Sequence, residues 1–144
     1  MSKAPFIINA RKGFTYGDQK MHDVIAHDGL TDANNKMSMG LCAEKTAADF
    51  KITREEQDAY CKQSYQRHIE AAKNGIFAEE IVGVKIKEKG REEEIFAEDE
   101  EGKRYREEKI ASIPSAFMRE GTITAANASK INDGACSVGT SSLM

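Results

Sequence analysis

Residues 121–129 read Gly-Thr-Ile-Thr-Ala-Ala-Asn-Ala-Ser, and residues 131–135 continue with Ile-Asn-Asp-Gly-Ala. The stretch combines small residues, β-branched residues and an Asn-Asp-Gly turn signal. Small side chains allow a polar ligand to approach the backbone closely, so one interpretation is a binding loop. The other interpretation is a packing turn of small residues, and the composition by itself leaves both open.

Composition and charge narrow the class of protein. The chain has 144 residues, enough for one domain, with 31% charged residues and no Trp. A formal net charge of −3 argues against a nucleic-acid-binding protein, because such proteins concentrate Lys and Arg on one face. The apolar runs are only a few residues long, well short of the ~20 that a membrane-spanning helix needs. We therefore expect neither a nucleic-acid partner nor a membrane partner.

Cysteine usage and the first residues predict an intracellular protein. Cys42, Cys61 and Cys136 are widely spaced and form no Cys-x-x-Cys pair of the kind used by zinc or redox sites. Each is expected to be a buried small hydrophobic residue. No secretory signal pattern opens the sequence, and the sequence does not distinguish a cytoplasmic, mitochondrial or peroxisomal location.

Periodicity predicts short elements in the first fifty residues. Residues 4–16 place apolar and aromatic residues around a basic turn, which predicts an extended arm or a hairpin. Residues 17–29 are expected to form a short helix that ends at Gly29. A second helix is predicted from about Met39 to Phe50.

The strongest helix signal covers residues 54–74. Thr53 is the expected N-cap, Glu56 three residues later is its capping-box partner, and Gly75 follows the end.

A charged hairpin is predicted next. Residues 81–86 alternate with period two, a turn at residues 89–91 follows, and residues 95–96 form the second strand. Most positions between residues 85 and 109 are charged with mixed signs, which is typical of a solvated hairpin and loop.

Ordered motifs along the chain resemble the thiolase family. Residues 121–135 fit the thiolase pattern G-T-[VI]-T-A-x-N-A-S-x-[IL]-N-D-G-A over its whole length. Further matches occur in family order: residues 28–32 to D-G-L-x-D, residues 39–44 to M-G-x-x-A-E, residues 54–58 to R-x-E-Q-D, and residues 75–84 to G-x-F-x-x-E-I-x-x-V. Within the family the chain looks most similar to the acetyl-CoA C-acetyltransferases, also called acetoacetyl-CoA thiolases.

The resemblance implies an α+β fold over residues 1–144. This would be the thiolase loop domain, built from short helices and a β-hairpin, with edges of the N-terminal αβ domain, and thus an incomplete thiolase-like fold. The implied parent reaction condenses two acetyl-CoA molecules to acetoacetyl-CoA and CoA. The alternative is a stand-alone, non-catalytic module for CoA binding or oligomerisation, because residues 4–16 resemble the loop through which thiolases form tetramers.

The resemblance also implies two groups of site residues. Positions that resemble CoA contacts are Met39, Tyr65, Arg104, Lys109 and Ser129. Positions that resemble potassium ligands in some acetoacetyl-CoA thiolases are Tyr65, Ala125, Ala126 and Ala128. Without the family, the residues favour the interpretation of Arg104 and Lys109 as surface charges in a charged loop.

The sequence departs from the family in two respects. Ser38 stands where the family's H-M-G motif has histidine. The family's nucleophilic cysteine, the histidine of its G-H-P motif, its second cysteine and its N-E-A-F motif have no counterpart in these 144 residues. The resemblance therefore assigns no catalytic residue to this chain, and we expect no turnover from the chain by itself.

Overall fold

The computed structural model describes residues 1–87, 90 and 92–139. The elements in chain order are β1 (Phe6–Ile8), β2 (Met21–Asp23), a π-helical turn (Ile25–Gly29), α1 (Met39–Phe50), α2 (Arg54–Lys73), β3 (Val84–Ile86), β4 (Glu94–Phe96), α3 (Glu101–Arg104) and a 3-10 helix (Glu107–Ser112). Helices combined with two small antiparallel sheets confirm the α+β prediction. Within the described ranges, no helix is both long and apolar enough to cross a membrane.

Helix α2 begins and ends where its sequence signals predict. Thr53 Oγ1 accepts a hydrogen bond from Glu56 N at 3.2 Å, and Glu56 Oε2 accepts one from Thr53 N at 2.8 Å. This reciprocal pair completes the capping box. Gly75 follows with φ of 70°, a left-handed conformation that glycine adopts without a side-chain clash. The predicted helix is confirmed to within one residue.

Helix α1 also has the predicted bounds, Met39–Phe50. Ser38 is its N-cap and accepts a hydrogen bond from Leu41 N at 3.4 Å. The serine that replaces the family's histidine therefore has a local role in starting this helix. The apolar side of the helix is only partly covered, since Ala47 is buried whereas Phe50 is exposed.

The first sheet decides the structure of the arm and corrects the expectation for residues 17–29. Strand β1 pairs antiparallel with β2, so that Phe6 lies opposite Asp23, and residues 4–16 form an extended arm without a hairpin of their own. The predicted helix over residues 17–29 is wrong, because Met21–Asp23 is a strand and only the π-helical turn after it is helical. Backbone pairing with β1 outweighs the weak helical spacing of a few apolar residues.

The second sheet is the predicted charged hairpin. Strands β3 and β4 pair antiparallel, with Val84 opposite Phe96 and Ile86 opposite Glu94. Strand β3 is shorter than predicted, since it begins at Val84 and not at residue 81. Of the predicted turn at residues 89–91, only residue 90 lies within the described part of the chain.

The buried core of the described residues is small. Its apolar members are Ala47 on α1, Cys61 on α2 and Ile110 in the 3-10 helix. Arg54 joins two of these elements, because its Nη2 donates to the carbonyls of Ile110 at 3.1 Å and Ile113 at 2.9 Å. Helix α2 is therefore the support against which the later elements pack.

The cysteine prediction is confirmed only in part. Cys61 is buried and Cys42 is half-buried, and all three thiols are free. Cys136 is exposed, so its predicted burial is wrong. The reason is local: residues 131–139 form neither helix nor strand, and no described element packs over the Cys136 side chain.

Candidate functional site

The signature loop, residues 121–130, is held by a buried carboxylate of α1. Glu44 is 6% exposed and accepts hydrogen bonds from Thr122 N, Thr122 Oγ1 and Ile123 N, each at 2.9 Å. Burial opposes ionisation of Glu44, but these hydrogen bonds outweigh it and hold the pKa of Glu44 below its usual value. A Cβ at Gly121 would lie 2.3 Å from Glu44 Oε1, so glycine is required where the loop meets the carboxylate.

The polar side chains of the signature loop bind its own backbone. Thr124 is fully buried, and its amide donates to Asn127 Oδ1 at 2.7 Å. Thr124 Oγ1 accepts from Ala126 N at 3.2 Å, and Asn127 Nδ2 donates to Thr122 O at 3.0 Å. The loop is therefore fixed in one shape by internal hydrogen bonds before any ligand arrives.

Helix α2 contacts the other side of the signature loop. Asn127 Nδ2 donates to Gln57 Oε1 at 3.4 Å, and the Cys61 thiol donates to the carbonyl of Ala126 at 3.3 Å. Burial, followed by the charge of Asp58, raises the pKa of Cys61, which keeps the thiol protonated as the donor in this contact. A cavity of about 450 Å³ lies between helix and loop, lined among others by Tyr65.

An ammonium group closes the C-terminal end of the loop. Lys130 Nζ lies 3.2 Å from Ala125 O, 3.5 Å from the Tyr65 hydroxyl and 3.4 Å from Glu101 Oε2. The Tyr65 ring also stacks on Tyr105, with 4.8 Å between ring centroids. The signature loop, α2 and α3 thus meet around one cation.

Three of the expected CoA contacts lie near this meeting point. Tyr65 takes part in it directly, Ser129 is the exposed loop residue before Lys130, and Arg104 precedes the stacked Tyr105. Arg104 is exposed, and its guanidinium forms ion pairs with Glu100 and Glu101. Tyr65 thus contacts Lys130 itself. Ser129 and Arg104 lie near it because each is next in sequence to a residue that contacts Tyr65.

The other two expected CoA contacts lie on separate elements. Met39 is the first residue of α1 and is 40% exposed. Lys109 is exposed in the 3-10 helix, where its carbonyl accepts a hydrogen bond from Ser112 Oγ at 2.9 Å. Their placement is compatible with an open surface site, while their roles stay predictions.

The expected potassium ligands do not form a free cation site. The carbonyl of Ala125 and the hydroxyl of Tyr65 face the Lys130 ammonium, and the carbonyl of Ala126 faces the Cys61 thiol. Ala128 contributes its amide, which donates to Thr124 O at 3.0 Å. The Tyr65, Ala125 and Ala126 oxygens thus already accept hydrogen bonds from the Lys130 ammonium or the Cys61 thiol. Because these donors occupy the space beside the oxygens, the residues present do not fit a potassium ion at these atoms.

Sequence reasoning missed the residues that organise the site, which are Glu44, Asn127 and Lys130. Glu44 had a detectable signal, because it is an acid beside the apolar stripe of an amphipathic helix. Asn127 and Lys130 each make local contacts within the loop, but their contacts with Gln57 and with Tyr65 cross 70 and 65 residues of sequence, and the local sequence carries no signal for these.

Comparison with known proteins decides the family. The sequence profile described as "Thiolase, N-terminal domain" matches residues 1–139. The chain belongs to the thiolase family. A curated thiolase relative, the mitochondrial acetyl-CoA acetyltransferase of Bos taurus, is 49% identical over 139 residues, which are 96% of this chain and 33% of that protein.

Solved thiolase structures have the same fold over this region. An acetyl-CoA acetyltransferase from Syntrophomonas wolfei is 40% identical, with a TM-score of 0.82 over 92% of this chain and 33% of that one. A thiolase from Ascaris suum, crystallised in complex with coenzyme A, is 42% identical, with a TM-score of 0.77 and the same coverage. The chain thus spans about a third of the length of the thiolases that it matches.

Proposed function

We propose that this chain supplies the CoA-binding part of an acetyl-CoA C-acetyltransferase. The proposed reaction of the whole protein joins two molecules of acetyl-CoA into acetoacetyl-CoA and CoA, or runs in reverse as thiolysis. The observation that carries the proposal is the preformed signature loop, in which Glu44 and Asn127 use their polar groups to fix the backbone. Similarity to a thiolase crystallised with coenzyme A supports the choice of ligand.

The chemistry of the proposed contacts suits the parts of CoA. Small residues around Ser129 leave the loop backbone open to a polar ligand. Met39 offers a polarizable apolar side chain to the thin pantetheine arm. Arg104 and Lys109 offer cations to the phosphates of the nucleotide end.

The ion pairs of Arg104 are compatible with phosphate binding. Its guanidinium and the Glu100 carboxylate are exposed, whereas the Glu101 carboxylate is half-buried. Ion pairs at the protein surface contribute only about 0–1 kcal/mol. A phosphate that offers a charge-assisted, bidentate partner can therefore compete for Arg104.

We assign no catalytic residue to this chain. Acyl transfer of the proposed kind needs an activated nucleophile and a general base, and none of the proposed contacts is a nucleophile paired with a base. In the proposal this part of the protein binds and orients the acyl-CoA, and the reacting groups belong to the whole enzyme. The alternative of a stand-alone module is not favoured, because relatives that match 96% of the chain are acetyl-CoA acetyltransferases.

The domain, partner and location assignments follow from the same proposal. Residues 1–144 would be part of a thiolase N-terminal domain, mostly its loop domain. Exposed apolar residues of the arm, including Phe6 and Ile8, would contact other thiolase subunits. An intracellular location is proposed, and the compartment is left unspecified.

Calorimetric titration with CoA tests the proposal. We expect CoA to bind, 3′-dephospho-CoA to bind more weakly, and the Arg104→Ala and Lys109→Ala variants each to bind CoA about tenfold more weakly, since each loses a charged hydrogen bond. Arg67→Ala is the matched control, because Arg67 is exposed on α2 and has no proposed contact with CoA. Absence of CoA binding would refute the proposal, and equal weakening by Arg67→Ala would refute the assigned residues.

A further inference from the structure

Three oxygen atoms from three separate elements converge on the Lys130 ammonium. They are the Ala125 carbonyl in the signature loop at 3.2 Å, the Tyr65 hydroxyl of α2 at 3.5 Å and a Glu101 carboxylate oxygen of α3 at 3.4 Å. The Lys130 side chain is 40% exposed, so it reaches this position along the surface of the loop. The Tyr65 hydroxyl itself donates to Glu101 Oε2 at 3.5 Å, and the ammonium adds the Ala125 carbonyl to the same hydrogen-bonded cluster.

An ammonium group is chemically suited to this position. It is a compact monovalent cation with three rotatable donors, which can serve three oxygens in different directions. Hard monovalent metal ions use the same kinds of ligand, namely carbonyl, hydroxyl and carboxylate oxygens. The single negative charge of Glu101 is already shared by Lys130 and by Arg104, whose guanidinium lies 3.4 Å from Glu101 Oε1, so a further cation beside Lys130 would be repelled.

We propose that Lys130 is the resident cation of this site: its ammonium joins the signature loop to α2 and α3 and takes the place that the thiolase resemblance gives to potassium. The chain consequently needs no monovalent metal ion at Tyr65 and Ala125. Removal of the ammonium would leave an oxygen-lined site that a potassium ion can enter. This inference does not depend on the proposed CoA site.

Thermal melting in different salts tests the proposal on the purified chain. The wild type, Lys130→Met and Lys12→Met are compared in potassium, sodium and tetramethylammonium chloride at equal ionic strength. Lys12 is an exposed lysine of the N-terminal arm and serves as the matched control. We expect the wild type and Lys12→Met to melt at the same Tm in all three salts. Lys130→Met should melt about 3 °C lower in tetramethylammonium and regain at least half of that loss in potassium.

Each other result overturns the proposal. A wild-type Tm that rises in potassium relative to tetramethylammonium would mean that a metal ion binds despite Lys130. No loss in Lys130→Met would mean that the ammonium does not join the elements. A loss that potassium does not reverse would mean that the oxygens do not form a cation site.

A local measurement gives the same test without a melting transition. The Cys61 thiol contacts Ala126, the residue after Ala125, so its rate of labelling by a thiol reagent reports whether this part of the loop is held. In a Cys42→Ser, Cys136→Ser background, we expect Lys130→Met to raise the Cys61 labelling rate several-fold in tetramethylammonium and potassium to reverse the increase. An unchanged rate would overturn the proposal.

Discussion

At the scale of single residues, Glu44 determines the shape of the candidate site. Its carboxylate is acceptor-only, and it faces two amides and a hydroxyl that would otherwise lack partners in a buried position. A glutamine of the same size cannot make the same hydrogen bonds, because its NH₂ group is a donor and would face the donor groups of Thr122 and Ile123. The buried charge of Glu44 therefore stabilises the conformation of the signature loop.

Replacing this carboxylate should loosen the signature loop. We expect Glu44→Gln to lower the free energy of unfolding by about 1–3 kcal/mol, because the glutamine NH₂ group faces the Thr122 and Ile123 amides. Urea denaturation measures the change, and Glu55→Gln on the exposed face of α2 is the control. The effect should also depend on pH. The folded-state pKa of Glu44 lies below its usual 4.5, so its contribution is complete above about pH 4.5 and disappears as the pH falls through the folded-state value. Equal stability of Glu44→Gln and Glu55→Gln at neutral pH would contradict this account.

Gly121 should tolerate no side chain for the same reason. A Cβ there lies 2.3 Å from Glu44 Oε1 and 2.7 Å from Met118 Cγ. We expect Gly121→Ala to cost about 1–3 kcal/mol in urea denaturation, since the carboxylate must move away from the loop. Gly134→Ala is the matched control, because a Cβ at Gly134 meets nothing within 4 Å. If both variants are equally stable, the carboxylate contact is not as close as described.

At the scale of elements, helix α2 carries the site, and its start is fixed by the capping box of Thr53 and Glu56. We expect Thr53→Ala to destabilise the protein by about 1 kcal/mol, because the Glu56 amide loses its acceptor. Thr46→Ala is the control: Thr46 lies inside α1, where its hydroxyl donates to the carbonyl of Cys42 at 3.0 Å, and loss of this bond should change stability by less than about 0.5 kcal/mol. Helix content followed by circular dichroism during urea denaturation distinguishes the two. A Thr53→Ala variant as stable as Thr46→Ala would show that the capping box does not limit the helix.

The elements that the sequence predicted correctly have strong local signals. Helices α1 and α2 have polar N-caps and run for at least three turns, and the charged hairpin has a clear period of two. The prediction of a helix over residues 17–29 was wrong because a few apolar residues at helical spacing are a weak signal. A distant partner, β1, decides its structure by offering a strand to pair with.

The sequence predicts the signature loop of the candidate site, but not the contacts that hold the loop in place. The signature loop is recognisable because glycine, alanine and threonine at fixed positions are visible in the sequence itself. The contacts of Glu44 with Thr122 and of Lys130 with Tyr65 join residues 78 and 65 positions apart, and no local pattern encodes them. The burial of Cys136 was mispredicted for a related reason, since burial depends on what packs over the residue.

At the scale of the whole molecule, this chain covers little of its own apolar surface. Its accessible surface is 12741 Å², whereas a compact monomer of 15.9 kDa exposes about 7,400 Å². The uncovered residues include those of strand β1, Phe6, Ile7 and Ile8. Such a surface favours contact with further protein.

Self-association through the arm is the expected consequence. We predict that the chain forms oligomers whose fraction rises with concentration and that Phe6→Lys reduces them, because a charge on the exposed face of β1 opposes its burial in an interface. Size-exclusion chromatography with light scattering measures the mass. Val82→Lys is the control, because Val82 is equally apolar and more exposed but lies outside the arm. A monomer at every concentration would rule out assembly through this surface.

The most direct test of the central claim is an amide-resolved NMR titration of the chain with CoA. The account predicts chemical-shift changes that saturate with CoA and are concentrated in the signature loop, around Tyr65 in α2 and at Met39, Arg104 and Lys109, while the β3–β4 hairpin stays unchanged. Binding in the micromolar to millimolar range, about −8 to −4 kcal/mol, would suit a site that forms only part of a larger enzyme. No shift at CoA concentrations on the order of 10 mM, or shifts confined to the hairpin, would contradict the assignment of this chain as the CoA-binding part of a thiolase.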